Sequence, residues 1–137
     1  MRKFLVVVAV MVMLLTLTSC VTVTVENDSE NSEGHIIEYI EGKDVIVDEE
    51  PYIAIFTNYT NNSGETAMPC DYTDVKAFQN GVELTIIVPS GTKVEGAVQC
   101  DTYVQSGTTV KTVWLFERVD NSPVSVELSN GERYEVG

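Results

Sequence analysis

Past residue 35 no stretch of the chain repeats its apolar residues at helical spacing, which limits the fold to strands. Short runs rich in Val, Ile, Thr, Tyr and Phe recur between turn signals, the pattern of an all-β sandwich. The expected strands are 35–41, 44–48, 52–60, 73–79, 82–88, 94–104, 109–118, 123–128 and 133–136. Asn80-Gly81 reads as a two-residue hairpin turn, because a type I′ turn needs positive φ at both central positions. Asn130-Gly131 repeats that signal near the C-terminus.

Alternation within the runs assigns faces. Val82, Leu84, Ile86 and Val88 are expected on one face, with Glu83 and Thr85 opposite. Val110, Trp114 and Phe116 share another face, against Lys111 and Glu117. Val124, Val126 and Leu128 form a third, against Ser125 and Glu127. Tyr52 to Phe56 is apolar on both faces and reads as a central strand. Trp114 is the expected core anchor, with an exposed ligand-stacking Trp as the alternative.

The N-terminus reads as an address. Met1-Arg2-Lys3 is positive, Phe4 to Leu15 is twelve apolar residues in a row, and Thr16-Leu17-Thr18-Ser19-Cys20 follows. That is the layout of a secretory signal, and Leu17-Thr18-Ser19-Cys20 resembles the bacterial lipobox, in which the Cys thiol is lipidated and becomes the mature N-terminus. Cys20 is therefore the expected lipidation site, holding the chain to the outer face of the cell membrane. The alternative is an uncleaved anchor, since Phe4 to Val25 carries no charge and is long enough to span a bilayer. The expected organisation is a signal peptide over 1–19, an acidic flexible tether over 20–35, and a folded domain over 36–137.

Charge narrows the partners. The 137-residue chain holds 21 acids and 8 bases, a net charge of -13. Past residue 19 the same 21 acids face 6 bases, a net of -15. So acidic a surface repels phosphate backbones, and no nucleic-acid partner is expected. The tether holds Glu26, Asp28, Glu30 and Glu33 and nothing aromatic, too little apolar surface to offset chain entropy. One His and three Cys are too few for most His-based zinc sites and most Ser-His or Cys-His machinery.

Several local runs together carry a family resemblance. Ile55-Phe56-Thr57-Asn58 leads into Thr60-Asn61-Asn62-Ser63, and Phe78-Gln79-Asn80-Gly81-Val82-Glu83-Leu84 looks like a partner hairpin. Ser106-Gly107 stands where the pattern has Pro-Gly; Trp114-Leu115-Phe116 and Ser122-Pro123-Val124-Ser125-Val126 complete it. Over residues 36–130, with the lipobox, the chain resembles the uncharacterised immunoglobulin-like lipoproteins of Gram-positive bacteria, a family filed as a domain of unknown function. It is similar in layout to the secreted mycobacterial-antigen type of Ig-like sandwich. The resemblance implies an antiparallel immunoglobulin-like β-sandwich of about 7–9 strands and an extracellular location. It brings no activity, substrate or cofactor.

Among residues able to carry chemistry, Cys70 and Cys100 remain once Cys20 is lipidated. An even count in an exported domain makes them a candidate disulfide; two free thiols are the alternative. Asp71, Asp74 and Asp101 lie nearby in sequence, but their spacing matches no calcium loop and they read as solvated acids. No catalytic residue, cofactor or metal site is expected. Tyr59, Asn61, Asn62, Tyr72 and Tyr103 form a candidate binding surface at one end of the sandwich, against tyrosines that merely pack strand ends. His35 reads as a solvated boundary residue. The expected function is non-catalytic binding or support at the cell envelope, with a protein or envelope partner. The second reading is an acidic inhibitor or immunity-type protein steered to a basic enzyme or toxin. A hydrolase is a third class, suggested only by the presence of acids.

Overall fold

The computed structural model describes residues 33–87 and 94–137. The leader, Cys20, the tether to residue 32, and Val88 lie outside the described residues. The strands are β1 (His35–Val47), β2 (Glu50–Asn61), β3 (Val75–Gln79), β4 (Val82–Glu83), β5 (Ile86–Ile87), β6 (Val98–Gln99), β7 (Thr108–Glu117), β8 (Val124–Leu128) and β9 (Arg133–Val136), with one short helix, α1 (Pro69–Tyr72). They form two sheets. One has the order β1-β2-β7-β5, with β6 also against β7; the other runs β4-β3-β8-β9. Pairing is antiparallel except at β6–β7, where Val98 and Gln99 lie parallel to Thr112 and Val113.

The apolar faces meet between the sheets. Ile53 and Ile55 of β2, Trp114 and Phe116 of β7, Val75 and Ala77 of β3, and Val124, Val126 and Leu128 of β8 make one buried cluster. Trp114 is its largest side chain, and its indole Nε1 donates to Thr57 Oγ1 at 3.1 Å. At the open side, Tyr39 of β1 stacks on Tyr134 of β9 with ring centroids 4.0 Å apart. β2 and β7 are buried on both faces, as Tyr52 to Phe56 foretells. Their outer face holds a second cluster of Ala54, Phe56, Val113 and Leu115, packed by Val45, Val47, Val94 and Ala97. Lys43 and Lys111 stand over the Phe56 ring at 4.9 and 4.6 Å, both paired with Glu41.

Two expected strands, 35–41 and 44–48, are one strand with a bulge. The register shifts between Tyr39 and Glu41, leaving Ile40 unpaired. One extra residue reverses the side-chain parity. His35, Ile37 and Tyr39 therefore face the inter-sheet core, whereas Val45 and Val47 reach the outer cluster. Gly42 follows the bulge where β1 passes over β9. A Cβ there would sit 2.6 Å from Val136 Cγ2 and 2.9 Å from Ile55 Cδ1.

The expected strand 82–88 is also different. It divides into β4 and β5, which belong to different sheets, and the chain crosses at Leu84-Thr85. Among the described residues of the expected apolar face only Leu84 is buried; Val82 is 67% exposed and Ile86 is 42% exposed. A strand that changes sheets has no common face for its alternation to fill. The expected strand 94–104 shrinks to β6, because the chain turns at 99–102, where Thr102 N donates to Gln99 O.

The hairpin signals resolve differently. Asn80 and Gly81 both have positive φ, 52° and 77°, as a type I′ turn requires. At the second site only Gly131 does, at 87°, and its N–H closes a turn onto Leu128 O at 2.9 Å. The β1–β2 hairpin uses Asp48 and Glu49, with φ of 50° and 68° and no glycine.

Candidate functional site

The described chain enters the sandwich through an aromatic stack that is buried on one side. Gly34 O accepts from Asn62 N at 2.7 Å, and Gly34 has a φ of +87°. The next residue, His35, starts β1 and turns its ring inward. Its Nδ1 is hydrogen-bonded with the Tyr59 hydroxyl at 2.7 Å, and its ring stacks on Tyr72 at 4.0 Å and 5°. His35 is thus a buried residue and not a solvated one. Burial lowers its affinity for a proton, so the neutral ring is favoured. Burial also raises the Tyr59 hydroxyl, with smaller contributions from Tyr72 and Asp71.

Beside this stack two loops are held by one side chain. Asn61 Nδ2 donates to Glu65 O at 2.7 Å and Val104 O at 2.8 Å. Its Oδ1 accepts from Ser63 N and Ser63 Oγ at 3.0 and 2.8 Å. Gly107 N adds a bond to Asn61 O at 2.6 Å. Ala67 and Val104 exchange both backbone bonds, at 3.0 and 2.8 Å. A single turn, α1, follows. Pro69 suits its start because its missing N–H needs no partner there. Thr73 N and Oγ1 both donate to Pro69 O and close the turn, at 2.9 and 2.7 Å.

These bonds bring Cys70 and Cys100 together. Cys70 N donates to Cys100 O at 3.0 Å, and each thiol shifts the acidity of the other. The structure holds them as free thiols, Cys70 exposed and Cys100 buried. Burial, reinforced by Cys70 and then Asp101, pushes the Cys100 thiol up to about 12. Cys70 is raised chiefly by burial, then by Asp71.

The five residues of the candidate binding surface separate into two groups. Tyr59 and Asn61 are fully buried and hold the fold, so neither is available for contact. Asn62 is exposed, Tyr72 is 45% exposed, and Tyr103 is 71% exposed. Those three lie on the segments that Asn61 and the Ala67–Val104 bonds fasten to the chain entry at Gly34. Asp71 and Asp74 line an open cavity of about 530 Å³ beside Cys70, Tyr72 and Glu127, and Asp101 is exposed. Among the described residues no group of three His, Cys, Asp or Glu side chains is arranged to hold a metal ion.

A signal for part of this arrangement was in the sequence. Tyr59 and Asn61 continue the parity of Ile53, Ile55 and Thr57, so alternation along β2 points them inward. His35 carried no such signal, since its partners are 24 and 37 residues away.

Two sheets packed face to face, closed at one end by a buried hydrogen-bonded lacing, define an all-β sandwich domain. Residues 24–130 match the family described as Domain of unknown function (DUF5067), and the chain belongs to that family. The match begins ahead of the expected boundary at residue 36. No curated protein and no solved structure matches the chain.

Proposed function

We propose that the protein is an exported, lipid-anchored immunoglobulin-like domain on the outer face of the cell membrane, which binds a protein or envelope partner without catalysing a reaction. Strand order supports the fold reading. With β1, β2, β5 and β7 taken as strands A, B, D and E, the first sheet runs A-B-E-D. With β3, β4, β8 and β9 taken as C, C′, F and G, the second runs C′-C-F-G, the immunoglobulin arrangement. The Leu17-Thr18-Ser19-Cys20 run supports the anchor. The observation that carries the binding reading is Tyr72 and Tyr103, exposed on a rigidly laced end of the domain. Rigid tyrosines supply contact area at low entropic cost. They lie at the end where the tether joins, so the patch would work close to the membrane, where confinement raises its effective concentration.

The test has two arms. Labelled palmitate should enter the wild-type chain and not Cys20→Ala; equal labelling removes the anchor from the reading. Full-length protein is then used for capture from envelope extract at low and high salt, beside the Tyr72→Ala/Tyr103→Ala double variant. Capture that survives high salt and is lost in the double variant supports the patch. Capture unchanged in the variant and abolished by salt favours the second reading, an acidic inhibitor attracted to a basic partner by the net charge of -15 past residue 19.

A further inference from the structure

We propose that Cys70 and Cys100 are a dithiol–disulfide site, oxidised by a small-molecule or protein disulfide outside the cell, with Cys70 as the attacking thiol and Cys100 as the resolving thiol. The inference is independent of the binding patch, and its oxidising setting rests on the proposed export of the domain. Three observations carry it. The backbones are already fastened: Cys70 N to Cys100 O at 3.0 Å, with the Ala67–Val104 pair flanking it. That bond makes the two cysteines direct neighbours across the two segments, the placement that a disulfide needs. The two side chains are near enough for each to shift the acidity of the other. Access is unequal, because Cys70 is exposed and Cys100 is 2% exposed. A bulky disulfide reaches only the first.

The exchange balances. Cys70 loses its proton, and its Sγ attacks one sulfur of the external disulfide. That S–S bond breaks, a mixed disulfide forms on Cys70, and one thiol leaves with the proton. Cys100 then loses its proton and attacks Cys70 Sγ, releasing the second thiol. The two protein thiols are oxidised by two electrons, and the external disulfide is reduced to two thiols. Burial and the neighbouring Asp71 and Asp101 disfavour both thiolates. The reduced form thus lacks the thiolate stabilisation that makes some dithiol pairs strong oxidants, and the bond once made resists reduction. It joins α1, and with it Tyr72, covalently to the segment that carries Tyr103.

Reduced full-length protein in detergent is incubated with oxidised glutathione, quenched, cut with trypsin without reductant, and mapped by mass. Cleavage after Lys43, Lys76, Lys93 and Lys111 puts Cys70 on peptide 44–76 and Cys100 on peptide 94–111. Wild type should yield these two peptides linked, separable by reductant, with no glutathione retained. Cys100→Ser should keep glutathione on Cys70, and Cys70→Ser should take up at least about tenfold less, following thiol access. Trp114 emission reports whether each variant is folded; should one be unfolded, the wild-type map decides alone. A wild-type protein that retains glutathione on Cys70, shows both thiols unmodified, or links Cys70 to the Cys20 peptide overturns the proposal.

Discussion

The imidazole of His35 lies flat on the ring of Tyr72, with centroids 4.0 Å apart and planes 5° from parallel. The stack joins the first residue of β1 to the end of α1, and it makes the chain's lone histidine part of the interior. Burial holds its pKa below the usual 6.5. At pH above 6.5 the ring is neutral in both folded and unfolded chains, and its contribution to stability is complete. As pH falls below 6.5 the unfolded chain takes up the proton first, so stability declines until pH has passed through the folded-state value. Proton NMR of the single imidazole should give a midpoint below 6.5. The melting temperature of wild type should fall more steeply across that window than that of His35→Gln.

Thr112 offers a gain in stability. Its Oγ1 is buried with no hydrogen-bond partner among the described residues, in the strand that carries Trp114. Val has nearly the same shape and no hydroxyl. Thr112→Val should stabilise the domain by about 1–2 kcal/mol, since burying an unpaired hydroxyl costs that much. Urea unfolding followed by circular dichroism measures it; a lower midpoint would show that the hydroxyl is satisfied in solution.

Trp114 and Thr57 give the opposite case. Trp114→Ala empties the largest buried side chain and should cost about 3–5 kcal/mol. Thr57→Val removes only the acceptor for the indole N–H, and the expected loss is about 1–3 kcal/mol. Because Trp114 is the chain's one tryptophan, its emission should be blue-shifted in the folded protein and move to the red on unfolding.

At the β1–β2 turn, Glu49 holds a φ of 68° with a side chain that disfavours it. Glu49→Gly should raise stability by roughly 0.5–1 kcal/mol, because Asp-Gly is a preferred type I′ pair and the left-handed strain disappears. Gly42→Ala should do the reverse. Its new methyl meets Val136 Cγ2 at 2.6 Å, and overpacking of this kind costs about 1–3 kcal/mol. Thermal melts of the two variants should move in opposite directions.

What the sequence disclosed was local. Alternation in β7 and β8 placed Trp114, Phe116, Val124 and Val126 in the core, and Asn80-Gly81 marked its turn, since each needs only its immediate neighbours. The bulge at Ile40 was hidden because an extra residue leaves composition and turn signals unchanged. The Asp48–Glu49 turn was hidden because it lacks the glycine that usually announces it. The sheet change at Leu84 requires knowing which strands pair. The same divide runs through the site. Cys70 and Cys100 were paired by arithmetic, and the structure sets them side by side as free thiols. His35 was misread because its partners Tyr59 and Tyr72 are remote in sequence, and Asn61 because it was taken for a surface residue although alternation along β2 turns it inward. Gln79, within the run that suggested the family, has a structural explanation. Its Nε2 donates to Asp120 O and Ser122 O at 2.9 and 2.8 Å, and its Oε1 accepts from Val119 N at 2.9 Å. Like Asn61, it is a buried amide that clasps a loop.

The unpaired Ile40 makes β1 serve two masters: its first half feeds the cleft between the layers and its second half roofs the far side. Removing Ile40 would take out the bulge and leave Glu41 opposite Phe56 and every later pair as it is, whereas one residue added between Gly42 and Val45 would send Val45 and Val47 toward the wrong side. The bulge is therefore the one place where this strand has a residue to spare, and lengthening beyond it is what its two-sided packing forbids.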